Sequence, residues 1–377
     1  MNKKMFLTLL IVILAGISIK LALRQPPSPA TPAKAAPDYD KYNYGKADEA
    51  MVVDIATQPN AIFTSESLFH DRILQKQLAD EGWTLREHPY RNGKEMIPYT
   101  DGRLDVMILG DIPAFIAMEQ HRIGIFALCR QGYNTIVANR KITPNQLKGL
   151  RIGYPTGTTA HFTLDRTLQA VNLTMNDITS VPMPPDQMEA AFRAGKVDAV
   201  VSWEPTASAI LNIPNSAMVS SSPGFSYIAM DLDFTTRHPR IQQAILAAVV
   251  RAVNWAKLDE KNIRTSLLWD RDAAVKFFGK SPVEYNEKWI GLMRKETIDN
   301  PSFPMLPLNF AANSGIQYQQ FEFLKKFGSL PATADWKKIS TTVDTGLLPK
   351  IIADKSWQID RFDYSSDKLY QGSQGAP

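Results

Sequence analysis

A chain of 377 residues, 44% apolar and 21% charged, is long enough for two lobes or domains with proper cores, or one large one, and lies far from disordered composition. Lys plus Arg number 42 against 38 for Asp plus Glu, with no block of like charge and no basic stripe interleaved with aromatics, which argues against a nucleic-acid partner. The single cysteine, Cys129, excludes an internal disulfide framework and a thiolate metal cluster.

The first 24 residues, MNKKMFLTLLIVILAGISIKLALR, place Lys3 and Lys4 before fifteen residues, Met5 to Ile19, without a charge. That is the plan of a secretory signal. No small-residue cleavage site follows, and a snorkelling Lys20 stretches the span to about nineteen residues, close to the ~20 that cross a bilayer. Residues 1–24 therefore read as a membrane anchor rather than a cleaved signal, and a cleaved signal remains the alternative. Residues 25–47 begin QPPSPATPAKAAP, a stiff and core-free linker of 23 residues with a reach on the order of 70 Å.

From Ala50 the pattern alternates strand and helix. MVVDIA is a buried strand, SESLFHDRILQKQLADEG a helix ending at Gly82, and WTLREHPY and LDVMILG further strands. A second unit follows. LRIGY is a strand, TAHFTLDRTLQAVN and PPDQMEAAFRAG are helices, and VDAVVSW is a strand. GFSYIAM is another β-prone run, and PRIQQAILAAVVRAVNWAK a long helix from Pro239 to Lys257.

One phrase occurs twice. GRLDVMILGDIP and GKVDAVVSWEP lie 93 positions apart, pairing Gly102 with Gly195, Asp105 with Asp198 and Asp111 with Glu204. Each copy reads as a helix ending at glycine, then a buried strand, then a loop at the strand's carboxyl edge where Asp111 or Glu204 precedes a proline that starts the next helix. Ligands of open α/β sheets sit at such edges, so two of them facing each other make a cleft between similar lobes. Hinges are expected near YNTIVA and FSYIAM, and they permit closure.

The stretch TPNQLKGLRIGYPTGTTAHFTLDRTLQAVNLTMNDITSVPMPPDQMEAAFRAGKVDAVVSWEP resembles the second lobe of the solute-binding proteins of ABC importers for alkanesulfonates, taurine and nitrate. DVMILGDIPAFIA resembles their first-lobe strand and ligand loop, and YIAMDLDFTTRHPRIQQAILAAVVRAVNWA the return to that lobe. The resemblance covers residues 50 to 330. It implies an α/β, two-lobed type II periplasmic binding protein fold, with two mixed, mostly parallel sheets and a small anion in the interlobe cleft. Lobe I then spans 48–136 and 227–330, lobe II spans 137–226, and 331–377 is an extension only partly familiar. The implied partners are a small anionic or zwitterionic solute, an ABC permease with its ATPase, and a membrane through the N-terminal helix. No cofactor or metal is implied, and the place is extracytoplasmic. A membrane-tethered sensor of the same fold is the alternative.

Thr156, Gly157, Thr158, Thr159 and His161 sit between strand and helix, where backbone N–H groups and the helix dipole seat an anion; an ordinary threonine cap is the alternative. Gln58, Asn60, Thr64 and Ser65 offer neutral donors from the other lobe. Gly110 belongs to the first ligand loop. Asp111 and Glu204 either cap the helices that follow or face the cleft, where two carboxylates beside an anion seat require a ligand with a positive end, such as taurine. Trp203, and more weakly Tyr227, can cover a short alkyl chain. The five histidines are scattered without H-E-x-x-H or G-x-S-x-G, which argues against an enzyme.

Overall fold

The computed structural model describes residues 37–45, 51–59, 63–279, 285–369 and 371–372. The expected anchor at 1–24, the expected linker up to residue 36, and Asn60 lie outside the described residues. Among the described residues no helix is long and apolar enough to cross a membrane.

Lobe I opens with β1 (Met51–Thr57), α1 (Phe63–Leu68), α2 (Arg72–Asp80), β2 (Trp83–Pro89), α3 (Gly93–Met96), β3 (Val106–Gly110) and α4 (Asp111–Gln120). The 16-residue β4 (Ile123–Ala138) carries the chain into lobe II. That lobe holds β5 (Arg151–Tyr154), α5 (Thr159–Gln169), β6 (Thr179–Pro182), α6 (Pro185–Arg193), β7 (Ala199–Ser202) and α7 (Thr206–Leu211). The 15-residue β8 (Ala217–Asp231) returns to lobe I. There follow α8 (Leu232–Arg237), α9 (Pro239–Leu258), α10 (Glu260–Phe278), α11 (Glu287–Glu296), α12 (Ile316–Lys326), α13 (Trp336–Ser340), α14 (Leu347–Ala353) and β9 (Gln371–Gly372).

The expected pair of sheets is continuous. Strands run in the order β6-β5-β7-β4-β8-β3-β1-β2-β9, and the antiparallel β4–β8 pair is common to both lobes. β1 pairs in parallel with β2 and β3, and β5 in parallel with β6 and β7. Helices cover both faces, so the strands are apolar on both sides. Val106, Ile108, Ile228 and Met230 belong to one core, and Met107, Leu109, Tyr227 and Ala229 to the other. Lobe II repeats this with Ala199 and Val201 on one face and Val200 on the other.

This frame explains the doubled phrase. β3 and β7 flank the central pair from opposite sides, each antiparallel to its neighbour. Asp105 accepts the Asp54 N–H at 2.8 Å while its own N–H donates to the Asp54 carbonyl; Asp198 does the same with Arg151, accepting at 3.0 Å. Gly102 and Gly195 both carry positive φ, the left-handed turn that feeds each strand. The repeated aspartate thus joins each strand to its parallel neighbour.

The expected single helix after β1 is broken at Phe69–Asp71. The Asp71 carboxylate caps α2 by accepting from Ile73 and Leu74 N–H, and it is held by the fully buried Arg251 of α9 at 2.6 Å. That guanidinium also donates to the Trp357 carbonyl, which ties down the C-terminal extension. Beyond α14 the extension runs across lobe I. Tyr364 stacks on Trp255, and Lys368 meets Glu66 and Glu87. β9 then pairs with β2, covering an edge that would otherwise present free backbone groups.

Residues 39–44, inside the stretch expected as linker, instead pack on lobe I. Tyr39, Tyr42 and Tyr44 are buried against Tyr90, Tyr99 and His88. Tyrosines bury large areas, and each of these three hydroxyls has a hydrogen-bond partner.

Candidate functional site

The strand edges of the two lobes meet around a cavity of about 80 Å³. One water requires roughly 10–15 Å³, so there is room for several waters or one small solute. The floor is the crossing pair itself, with Gly132 opposite Gly224 in register. At both, the missing side chain leaves room for a neighbouring polar group. A Cβ on Gly224 would lie 2.4 Å from the Asn134 amide nitrogen, and one on Gly132 would lie 2.9 Å from Glu296 Oε1.

Lobe I contributes Gln58, Gly110 and the Asn92–Lys94 corner. Gln58 is fixed by donating its amide to the Ile108 carbonyl at 2.6 Å. Asn92 caps α3, accepting from the N–H groups of Lys94 and Glu95. Lys94 reaches across the mouth, where its ammonium donates to the Thr156 carbonyl of lobe II at 3.3 Å.

Arg130 comes from β4. A register shift between Leu128 and Arg130 interrupts the alternation there, the kind of irregularity that re-aims a side chain. Its Nε donates to Glu296 Oε2 at 2.6 Å, and the pair is almost wholly buried. Burial raises the Glu296 carboxyl above its ordinary range; Arg130 opposes that shift and Glu204 adds to it.

Lobe II presents Thr158 and Thr159 at the start of α5, together with Trp203. The first N–H groups of a helix have no intrahelical acceptor, and the dipole adds about 0.3–1 kcal/mol for an anion there. Trp203, Tyr133 and Phe225 give the cavity aromatic walls. Asn134 projects into it, and its side-chain oxygen is buried without a hydrogen-bond partner among the described residues.

Of the residues picked from sequence, Gln58, Gly110, Thr158, Thr159 and Trp203 line the cavity. Thr156 and Gly157 stand at its rim beside Lys94. Thr158 spends its hydroxyl on the Pro155 carbonyl. His161 is turned away: it accepts the Gly157 N–H, stacks on Tyr154, and meets Phe323 and Phe327 edge-on. Burial pushes its pKa down to about 4, and Lys94 and Lys326 push the same way. Ser65 and Tyr227 are buried away from the lining, and Thr64 is buried in α1.

The expectation that Asp111 and Glu204 face the cleft together needs correcting. Asp111 is buried behind the wall and accepts from Thr159, Gln320 and the N–H groups of Ile112 and Phe225. Glu204 accepts from the Ser208 N–H and so caps α7, the local role open to it. Among the described residues, no carboxylate lines the cavity. A positive end on the ligand would find no carboxylate among the described lining residues.

Arg130, Lys94, Asn92, Asn134, Tyr133 and Phe225 were missed. Their signal was faint: a basic residue inside the apolar run IFALCRQGYNTIVA was the one oddity on view. Among the described residues no group of three or more His, Cys, Asp or Glu side chains is placed to hold a metal. Burial pushes the Cys129 thiol up, which leaves it inert.

Two half-sheets joined by a crossing strand pair, with a cavity at their facing edges, define a type II periplasmic binding protein fold. A family model described as NMT1-like matches residues 116–268. The chain is 23% identical over 278 residues to the taurine-binding periplasmic protein of Escherichia coli (strain K12), covering 68% of this chain and 82% of that one. It is 29% identical over 189 residues to a putative aliphatic sulfonates-binding protein of the same organism, covering 48% and 54%. Among solved structures, the periplasmic aliphatic sulphonate binding protein SsuA of Escherichia coli superposes with TM-score 0.60 at 20% identity, over 77% of this chain and 92% of that one. The periplasmic nitrate-binding protein NrtA of Synechocystis PCC 6803 gives 0.58 at 14% identity, over 88% and 96%. In sequence and in fold the chain is thus similar to alkanesulfonate-, taurine- and nitrate-binding proteins of the periplasm.

Proposed function

We propose that this protein captures a small organic anion of the sulfonate class in the interlobe cavity and presents it, outside the cytoplasm, to an ABC permease and its ATPase. The observation that carries this reading is the lining itself. Lys94, Arg130 and the α5 N-terminus converge on one cavity with aromatic walls and, among the described residues, no lining carboxylate. A sulfonate matches three-fold oxygen acceptance with a short apolar stem, and the lining holds both donors and rings to meet them. Arg130 enters half-neutralised by Glu296, so the attraction is shared with neutral donors rather than resting on one charge. Micromolar affinity needs about −8.2 kcal/mol, against a ceiling of roughly −1.5 kcal/mol per heavy atom for tiny ligands, so closure around the solute is part of the mechanism. The role is binding rather than catalysis, without a cofactor, and the N-terminal segment 1–24 tethers the head to the membrane.

Isothermal calorimetry on the protein with ethanesulfonate, taurine and nitrate tests this. Ethanesulfonate should bind in the micromolar range and at least as tightly as taurine, whose ammonium finds no carboxylate in the lining. Nitrate should bind more weakly, since it leaves the aromatic walls uncovered. Failure of all three anions to bind, or their chemical turnover, sinks the reading.

A further inference from the structure

Tyr39, Tyr42 and Tyr44, in the strap of residues 39–44 that precedes β1, do more than pack on lobe I. Their attachments converge on Pro89–Glu95, the segment that ends at the cavity lip. Tyr42 donates to the Pro89 carbonyl at 2.5 Å, and the Tyr44 hydroxyl meets the Tyr90 hydroxyl at 2.5 Å. Tyr39 reaches furthest. Its hydroxyl accepts the Arg91 N–H at 3.1 Å and donates to Glu95 Oε2. The other oxygen of that carboxylate accepts from the Asn92 amide at 3.1 Å, and Asn92 lines the cavity. Asn92 in turn caps the turn that carries Lys94. One chain of hydrogen bonds therefore runs from Tyr39 through Glu95 to Asn92 and Lys94. It begins in a segment that precedes β1 and has no place in the two-lobed sheet.

We infer that Tyr39 is a positioning residue for the ligand site: by orienting Glu95 it holds the Asn92–Lys94 lip in the place from which it contacts solute, so affinity depends on the N-terminal strap. The inference rests on the proposed reading of the cavity as the solute site. Its physical basis is preorganisation. A lip whose amide and ammonium are already aimed loses less freedom when solute arrives. The strap also joins directly onto the linker that leads to the chain's first residues, so the segment expected as a tether is fastened two side chains from the ligand.

The test uses the full-length protein and two single-atom deletions in the same strap, Tyr39→Phe and Tyr44→Phe. Tyr44→Phe removes the bonds of that hydroxyl to the Tyr90 hydroxyl and to the Tyr39 carbonyl while keeping the Tyr39 hydroxyl and its bond to Glu95, so it reports the effect of loosening the strap without deleting a link of the Glu95 chain. Ethanesulfonate affinity is measured by calorimetry, unfolding by thermal melt, and amide exchange over residues 91–96 by mass spectrometry without ligand. Tyr39→Phe should weaken ethanesulfonate about three- to tenfold, the scale of one lost hydrogen bond, and speed exchange at Lys94 and Glu95. Tyr44→Phe should lower the melting midpoint to a similar degree yet leave affinity within about twofold. Equal affinity losses in both variants, or none in Tyr39→Phe, overturn the inference. If the wild-type protein binds no anion, the cavity reading fails on its own account. Exchange still decides the positioning claim, because unchanged protection at Lys94 and Glu95 in Tyr39→Phe refutes it.

Discussion

The Thr159 hydroxyl of lobe II donates to the Asp111 carboxylate of lobe I, so the two lobes meet at a buried charge one residue behind the cavity wall. Burial pushes that carboxyl up to about 6, against the lowering effect of its bonds from Thr159, Gln320, Ile112 and Phe225. The folded value lies above the ordinary ~3.9, so Asp111's contribution to stability is fully present below the unfolded value and is lost as pH rises through about 6. An anion in the cavity favours the protonated form. Affinity for ethanesulfonate, which stays ionised throughout, should therefore rise about three- to tenfold from about pH 7.5 to about pH 5.5. Calorimetry across that range checks it. Asp111→Asn should flatten the profile, and a flat wild-type profile rejects the coupling.

Arg130 and Glu296 make a second pair with opposite consequences for the ligand. Arg130→Gln removes a cation from the lining and should weaken ethanesulfonate at least about tenfold, the scale of a lost charge-assisted bond. Glu296→Gln frees the guanidinium's charge and should tighten binding severalfold. Removing one partner of a buried pair costs about 3–5 kcal/mol. In Arg130→Gln the remaining carboxyl, already raised by burial, titrates higher still, so its stability deficit should grow as pH rises. Unchanged affinity in Arg130→Gln would reduce Arg130 to a structural role.

The duplicated aspartates share one backbone arrangement and titrate in opposite directions. Burial, with Asp54 and Asp231 adding to it, raises Asp105 to about 8, whereas hydrogen bonds from the Arg151 side chain lower Asp198. The Asp105 contribution is present below its unfolded value and declines as pH rises through about 8; the Asp198 contribution is present above its unfolded value and is lost on acidification. Asp105→Asn should raise the melting midpoint near pH 9 by about 1–3 °C, and Asp198→Asn should lower it near pH 7 by a similar amount. Thermal melts at both pH values settle the matter. Shifts of the same sign in the two variants contradict the account.

Lys368 brings the C-terminal extension into an acidic corner of lobe I, 2.5 Å from Glu66 and 3.0 Å from Glu87. Burial raises Glu66 to about 8 even with the ammonium beside it. Lys368→Met should cost on the order of 3 kcal/mol near pH 8. The deficit should shrink near pH 5, where Glu66 is protonated in both proteins. Denaturant titration at the two pH values measures it, and a pH-independent deficit would assign the loss to packing alone.

Much of the scaffold was legible because local periodicity reports local burial. MVVDIA, LDVMILG and VDAVVSW stand as β1, β3 and β7 with both faces covered, and PPDQMEAAFRAG and Pro239 onward stand as α6 and α9. The break between α1 and α2 was hidden, because Asp71 reads as a surface residue within a helix until Arg251 arrives from α9. The site was half legible. Strand-edge loops gave Gln58, Gly110, Thr158, Thr159 and Trp203, whereas Asn92 and Lys94 lie in a short turn whose neighbour across the cavity is 62 residues away in sequence.

The order of strands and helices, the doubling of the half-molecule and the location of the strand edges were determined by the sequence alone, since hydrophobic period, glycine turns and caps act within a few residues. Which charges face the solute was decided by tertiary structure. A carboxylate's reach, its partners and its solvation depend on groups far away in the chain. Asp111 is withdrawn behind Thr159 and Gln320, while Arg130 is brought to the cavity from the middle of an apolar strand.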